Sequence, residues 1–206
     1  METVSFVTAA SRPDGLRDIY ASILQAVGRC GSRPTARWIV VFDEHQEPPG
    51  IQEKIPSVPG RLEVKILSYP GGRCIFGIAQ KNMGLDSFED GWFNCLDDDN
   101  IVHPDFFSGL ERALSKHPKS SGFVFSQKRW DKIGDLRAVP TLMRHGALDN
   151  AMFVLHRDLI GPHRYNIALR GMEDWVFFEK IWKAHPRSIS FIDEQLCYYN
   201  YLRAER

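Results

Sequence analysis

The residues best placed to do chemistry are three consecutive acids, Asp97, Asp98 and Asp99, directly after the apolar run Trp92-Phe93-Asn94-Cys95-Leu96. If that run is a strand, side-chain alternation puts Asp97 and Asp99 on one side and Asp98 on the other. Two carboxylates sharing a site repel each other. A Mg2+ or Mn2+ ion held by one or two carboxylates and by substrate phosphates relieves that cost. The same residues also read as an acidic turn in which Asp99 or Asn100 caps the helix that Pro104 opens. A second acid pair, Glu173-Asp174, heads a helical pattern, where acids ordinarily complement the positive helix N-terminus. Neighbouring helical residues are about 100° apart, so only one of this pair is expected to face a given site. Asp149 and Asn150 could bond a ligand's hydroxyls or form a turn, and Trp130 and Trp175 could stack on a ligand ring or sit in the core. His145, His156 and His163 could donate to phosphate or complete a metal shell, although a surface or core role is the ordinary one.

The elements that must position these residues alternate. Val4–Ala10 is an apolar, β-branched run ending in Ser11-Arg12-Pro13, and from Leu16 the residues Ile19, Tyr20, Ile23, Leu24 and Val27 recur at helical spacing. Strand patterns follow at 38–42, 62–67 and 92–96, with a weaker helical segment over 75–85. Strands alternating with helices predict right-handed crossovers and a mainly parallel sheet covered on both faces. In such a sheet ligands bind beyond the carboxyl ends of the strands, which is where Thr8 to Arg12, Asp43 and Asp97 to Asp99 fall. The second half predicts a helix to about Lys116, a strand over 122–126, and a basic irregular stretch over 127–145. An apolar run at 151–155, a helix over 173–183 and a strand over 189–192 complete it. With no repeat or linker, the expected organisation is one α/β domain over 1–206, with a nucleotide-binding half (1–100) and a variable half (101–206).

The chain has 206 residues, 26 Lys plus Arg against 26 Asp plus Glu, and 43% hydrophobic residues, enough for a sizeable core. A formal charge of +0 provides no long-range field for gathering nucleic acid or an anionic membrane, so neither partner is expected. No run is long enough to span a membrane. Cys30, Cys74, Cys95 and Cys197 are far apart and form no metal-type cluster, so a reducing, cytoplasmic setting is expected.

Leu96-Asp97-Asp98-Asp99-Asn100, preceded by Asn82-Met83-Gly84 and by Thr8-Ala9-Ala10-Ser11-Arg12-Pro13, resembles the GT-A nucleotide-sugar glycosyltransferases, particularly their family 2. The matching elements run in order from Val4 to about Trp182. The resemblance implies a Rossmann-like GT-A fold in which Asp97 and Asp99 hold Mn2+ or Mg2+, with Asp97 and Asp98 at the donor diphosphate. It implies that Thr8, Ala9, Ala10, Ser11 and Arg12 line the nucleotide pocket and that Asp43 accepts hydrogen bonds from the base. A carboxylate there suits the imide N–H of uracil or thymine, hence a UDP-sugar. The family's A-R-N-x-G is here Ala79-Gln80-Lys81-Asn82-Met83-Gly84, so Lys81, with Asn82 beside it, or else Arg73 stands in for the donor-contacting arginine. Gly171-Met172-Glu173-Asp174-Trp175 resembles the E-D motif of inverting members, which makes Asp174 the catalytic base, with Glu173 beside it. Asp149, Asn150, Trp130 and Trp175 are left to meet a carbohydrate or other hydroxyl acceptor. Two other readings remain: a sugar-nucleotide pyrophosphorylase, which would carry a Gly-rich signature where Ala9-Ala10-Ser11-Arg12 stands, and a non-catalytic sugar-nucleotide or glycan-binding relative.

Overall fold

The computed structural model describes residues 1–44, 46–71, 75–129, 134–199 and 201–204. Its first half runs β1 (Val4–Ala10), α1 (Leu16–Arg29), β2 (Ala36–Asp43), α2 (Ile51–Lys54), β3 (Leu62–Tyr69), α3 (Ile78–Asp86) and β4 (Trp92–Cys95). The second half adds β5 (Ile101–Val102), α4 (Phe106–Lys116), β6 (Gly122–Arg129), β7 (Phe153–His156), α5 (Arg157–Ile160), α6 (Glu173–Ala184), β8 (Ile189–Tyr199) and α7 (Tyr201–Ala204). Among the described residues the strands form one eight-stranded sheet in the order β3-β2-β1-β4-β7-β6-β8-β5. The first four are parallel, β7 runs antiparallel to both β4 and β6, β6 and β8 are parallel, and β5 is antiparallel to β8.

Strand alternation builds two core layers. Val4, Phe6, Trp38, Val40 and Phe42 face the side covered by α1 and α4, while Val7, Ile39, Val41, Phe93 and Cys95 face the side of α3 and α6. On α6 the residues Asp174, Phe177, Phe178 and Ile181 share the helical spacing of one stripe. The three apolar members are buried, so packing this helix also draws Asp174 inward. Helix α3 buries Gln80 and Lys81 beside Ile78, Gly84 and Leu85. Polar residues inside a covered helix face need partners, and these two find theirs at the strand ends.

The structure departs from the expected layout in the second half. The strand predicted over 122–126 extends to Arg129 and the one over 189–192 extends to Tyr199, because the two pair in parallel across register shifts that absorb irregular stretches. Strand β4 ends at Cys95, and the Asn100 amide bonds the Asp97 carbonyl at 3.0 Å, closing a turn. The alternation predicted for Asp97 to Asp99 therefore does not apply: a turn, not a strand, sets their directions.

Two glycines mark where α3 approaches the sheet. A Cβ on Gly84 would stand 2.3 Å from Val7 Cγ1, and one on Gly77, at φ +64°, would stand 2.4 Å from Ala9 Cβ. Gly84→Ala should lower stability by about 1–3 kcal/mol through overpacking. Gly28→Ala, exposed in α1 with nothing near its position, should raise it by about 0.5–1 kcal/mol. Urea unfolding of both variants checks this, and equal midpoints would contradict the close approach of α3.

Candidate active site

At the carboxyl ends of the parallel strands lies a cavity of about 860 Å³. Its wall takes Ala9 to Arg12 from the end of β1, Asp43 from β2, Phe76, Gly77, Gln80 and Lys81 around the start of α3, and Asp97 to Asp99 after β4. The opposite wall is His145 to Asp149 less Ala147, Gly171 to Trp175 at the head of α6, Tyr199 at the end of β8 and Arg203 in α7. The two acid motifs, 75 positions apart in sequence, thus open into one space.

The three consecutive acids have different partners. Asp98 Oδ2 accepts from the Ser11 amide (2.7 Å), the Ser11 hydroxyl (2.9 Å) and the Arg12 amide (2.9 Å), while Oδ1 accepts from Arg12 Nε (2.8 Å) and Nη2. Asp98 thereby clamps the β1 loop onto the β4 loop. Asp99 Oδ2 meets Arg203 Nε at 2.7 Å and Arg12 Nη1 at 3.2 Å. Burial and Asp97 raise the Asp99 pKa, and the two arginines oppose that shift. Asp97 Oδ1 lies 3.0 Å from Lys81 Nζ, which is also 3.8 Å from Asp174 Oδ1. Burial disfavours the ammonium, but Asp97 and Asp174 outweigh it and hold its pKa well above the ordinary value.

A hard cation wants oxygen ligands. The second oxygens of Asp97 and Asp99 have no protein partner among the described residues. Nor, among those residues, do three His, Cys, Asp or Glu side chains converge as a metal cage. Two carboxylates with one uncommitted oxygen each fit an ion that takes its remaining ligands from water and a substrate diphosphate.

At the head of α6 both acids line the cavity, which corrects the expectation that only one could. Glu173 is 6% exposed, and its Oε2 and Asp174 Oδ1 are buried without a hydrogen-bond partner. Burial raises the Asp174 pKa to about 8; Lys81 opposes the shift, and Asp97, Asp149 and Glu173 add to it. Asp149 is raised to about 6 by burial and by Asp97, against the Gln127 side-chain donor at 2.9 Å and the Ala151 amide at 3.0 Å.

Several expected site residues lie elsewhere. Thr8 is fully buried in the α1 layer, where its hydroxyl donates to the Leu96 carbonyl (2.7 Å) and accepts from Trp38 Nε1 (2.9 Å), because alternation turns it away from the cavity. Asn82 grips the backbone of Tyr165, donating to its carbonyl (2.9 Å) and accepting from its amide (2.8 Å). Asn150 is fully buried and accepts from the Tyr165 hydroxyl at 2.8 Å. Neither asparagine lines the cavity. Trp175 does, as do Asp149 and Ala9 to Arg12. His156 bonds Glu2 at 2.7 Å, and the His163 carbonyl accepts from Arg164 Nη1, both away from the cavity. Arg73 and Trp130 lie outside the described residues.

Other lining residues escaped the sequence. Gln80 donates to Asp43, is 3% exposed, and leaves Oε1 unpartnered. Phe76 is 57% exposed on the cavity rim at φ +57°, a backbone region that costs a bulky residue strain and that clusters at functional sites. Arg203 comes from the end of the chain, where no sequence pattern ties it to Asp99. For Gln80 a signal did exist: a polar residue on the buried stripe of a short helix.

No protein-family model and no curated protein matches the sequence. Solved structures do match in shape. TarS 1–349 of S. aureus superposes with a TM-score of 0.73 at 15% identity, over 97% of this chain and 60% of that one. Its complex with UDP gives 0.73 at 16%, over 96% and 60%. The mannosyltransferase PcManGT of Pyrobaculum calidifontis, in complex with GDP-Man and Mn2+, gives 0.65 at 12%, over 96% and 56%. The chain thus spans about 60% of the TarS fragment. At these identities the likeness is one of fold, and the fold is the GT-A fold.

The raised Asp174 pKa makes stability depend on pH in a stated direction. The unfolded carboxyl ionises near 3.8 and the folded one near 8, so between these values the folded state binds more protons and stability falls as pH rises. Below about 4 and above about 8 this contribution is flat. Urea midpoints of the parent chain and Asp174→Asn should therefore diverge in favour of the variant from pH 4 to 8. A pH-independent difference would show that Asp174 is not held protonated.

Proposed function

We propose that the chain is a glycosyltransferase that moves a hexosyl-type group from a nucleoside-diphosphate sugar to a hydroxyl acceptor with inversion at the anomeric carbon. One observation carries this reading: the paired acids after β4 and the paired acids heading α6 open into a single cavity and meet at Lys81. The UDP, UDP-GlcNAc and GDP-Man complexes of the similar folds agree with such a donor.

In this reading the diphosphate lies beside Asp97 and Asp99, within reach of Arg12, Arg203 and Lys81, all of which line the cavity. A Mg2+ or Mn2+ ion held by Asp97 and Asp99 would supply charge neutralisation for the departing diphosphate. Asp98 acts through the loop it clamps, presenting Ser11 and Arg12 to the donor. Asp43, oriented by Gln80, accepts the imide N–H of uracil, and Phe76 offers an aromatic face at the same end.

Asp174 takes the proton of the attacking acceptor hydroxyl. A pKa of about 8 makes it a better proton acceptor than an ordinary carboxylate, at the cost of being mostly protonated at neutral pH in the free protein. Lys81 positions that carboxylate and stabilises its ionised form. Trp175 and Asp149 flank the space for the sugar rings, and Asn150 supports it through Tyr165. A cytoplasmic setting belongs to the same proposal, with Cys30, Cys95 and Cys197 as buried free thiols. Among the described residues no helix is long and apolar enough to cross a membrane.

Asp174→Asn should keep donor affinity near the parent value while turnover drops on the order of 10²- to 10⁴-fold, the loss expected for a general base. Glu173→Gln should lose much less, and NMR of the product should show an inverted anomeric centre. Near-parent turnover by Asp174→Asn, or a retained configuration, would remove the inverting mechanism. By calorimetry with UDP and Mn2+, Asp97→Ala and Asp99→Ala should each lose metal-dependent binding, and ADP should bind the parent chain more weakly than UDP. Unchanged affinity in both variants would remove the metal assignment, and equal ADP binding would remove Asp43 as the base contact.

A further inference from the structure

The end of the cavity under β2 carries a fixed polar pair. Asp43 closes β2 and Gln80 lies in the first turn of α3; both line the cavity, at 6% and 3% exposure. Gln80 Nε2 donates to Asp43 Oδ1. Turning the amide over would set Gln80 Oε1 against a carboxylate oxygen, acceptor against acceptor, so the pair holds one orientation. Gln80 Oε1 is itself sealed from solvent and offers nothing to a ligand. What the pair presents is therefore one acceptor, Asp43 Oδ2, beside one donor, the second N–H of Gln80 Nε2. Neither has a partner among the described residues, and Oδ2 is not sealed.

An acceptor beside a donor is the complement of an imide. Uracil and thymine carry a carbonyl on each side of the imide N–H, so Oδ2 takes the N–H and Gln80 reaches a carbonyl whichever way the ring lies. Guanine has a carbonyl on one side of N1–H and an amino group on the other. Its two parallel donors suit both oxygens of a carboxylate, as a guanidinium fork does. Here Gln80 holds Oδ1. The amino group then meets the Gln80 NH2, donor against donor, or finds no acceptor from the pair. Phe76, on the rim, would stack on any base, so the choice falls to these hydrogen bonds.

We propose that Gln80 sets the base specificity of the site: by occupying Asp43 Oδ1 it admits uracil or thymine and rejects guanine. The proposal rests on the donor reading above. It adds to that reading a residue that selects between uridine and guanosine carriers, both of which occur in complexes of the similar folds.

The test is calorimetry with Mn2+ present, titrating UDP, GDP and IDP into the parent chain and into Gln80→Ala. IDP carries hypoxanthine, a purine with guanine's N1–H and carbonyl but no amino group, so it separates ring size from hydrogen bonding. The parent chain should bind UDP at least about tenfold more tightly than GDP, because a base donor is left unserved in a buried site. It should also bind IDP several-fold more tightly than GDP. In Gln80→Ala, which frees Oδ1, UDP should weaken while GDP holds or gains, so the UDP-to-GDP ratio falls several-fold. If Gln80 served only to orient Asp43, both would weaken together at an unchanged ratio, and that result would overturn the inference. So would GDP bound by the parent chain within about threefold of UDP or more tightly, or IDP bound no better than GDP; each leaves the donor reading intact. Failure of all three to bind would overturn the donor reading and this inference together. The parent-chain comparisons decide the matter even if Gln80→Ala does not fold.

Discussion

A single buried ammonium determines how this site is put together. Lys81 projects from α3 into a region where Asp97, from the turn after β4, and Asp174, from the head of α6, both come within 4 Å of it. Taking any one of these charges out of water is expensive, and together they offset one another only in this geometry. The three elements are therefore fixed relative to each other by electrostatics as much as by apolar packing. The close approach of α3 to β1, permitted by Gly77 and Gly84, brings the lysine within range.

The balance at Lys81 is incomplete, and the imbalance is chemically useful. Burial above all, with Asp97 and the neighbouring acids adding to it and Lys81 opposing it, keeps protons on Asp149 and Asp174 that would be lost in water. A few ångströms away the ratio is different, since Arg12 and Arg203 neutralise Asp98 and Asp99. One end of the cavity thus suits anionic phosphate and the other suits hydroxyl-bearing groups that present donors and can give up a proton. This polarity matches the chemistry of a nucleoside-diphosphate sugar along its length.

Much of this was legible in the sequence, for local reasons. Apolar runs ending in Thr8 to Arg12, Asp43 and Asp97 to Asp99 mark strand ends because a parallel sheet buries both faces and leaves polar residues only at its rim. The parallel half of the sheet and the head of α6 emerge where such patterns placed them. What failed depended on orientation and on long-range pairing. Thr8 sits at a strand end, yet its parity in β1 aims it at Trp38 in the opposite layer. Asn82 follows Lys81 in a motif, but a step of about 100° around α3 turns it to the Tyr165 backbone. The extra length of β8 and the docking of Arg203 on Asp99 are set by residues more than 60 positions away, which no local pattern encodes.

The most direct measurement of the central claim is a crystal structure of the chain with a non-hydrolysable nucleotide-sugar and Mn2+. The expected result places the base at Asp43 and Gln80, the diphosphate beside Asp99 and Arg12, and the anomeric carbon in the space between Asp97 and Asp174, with Lys81 still bridging the two acids. Density showing the nucleotide elsewhere, or the sugar directed away from Asp174, would contradict it.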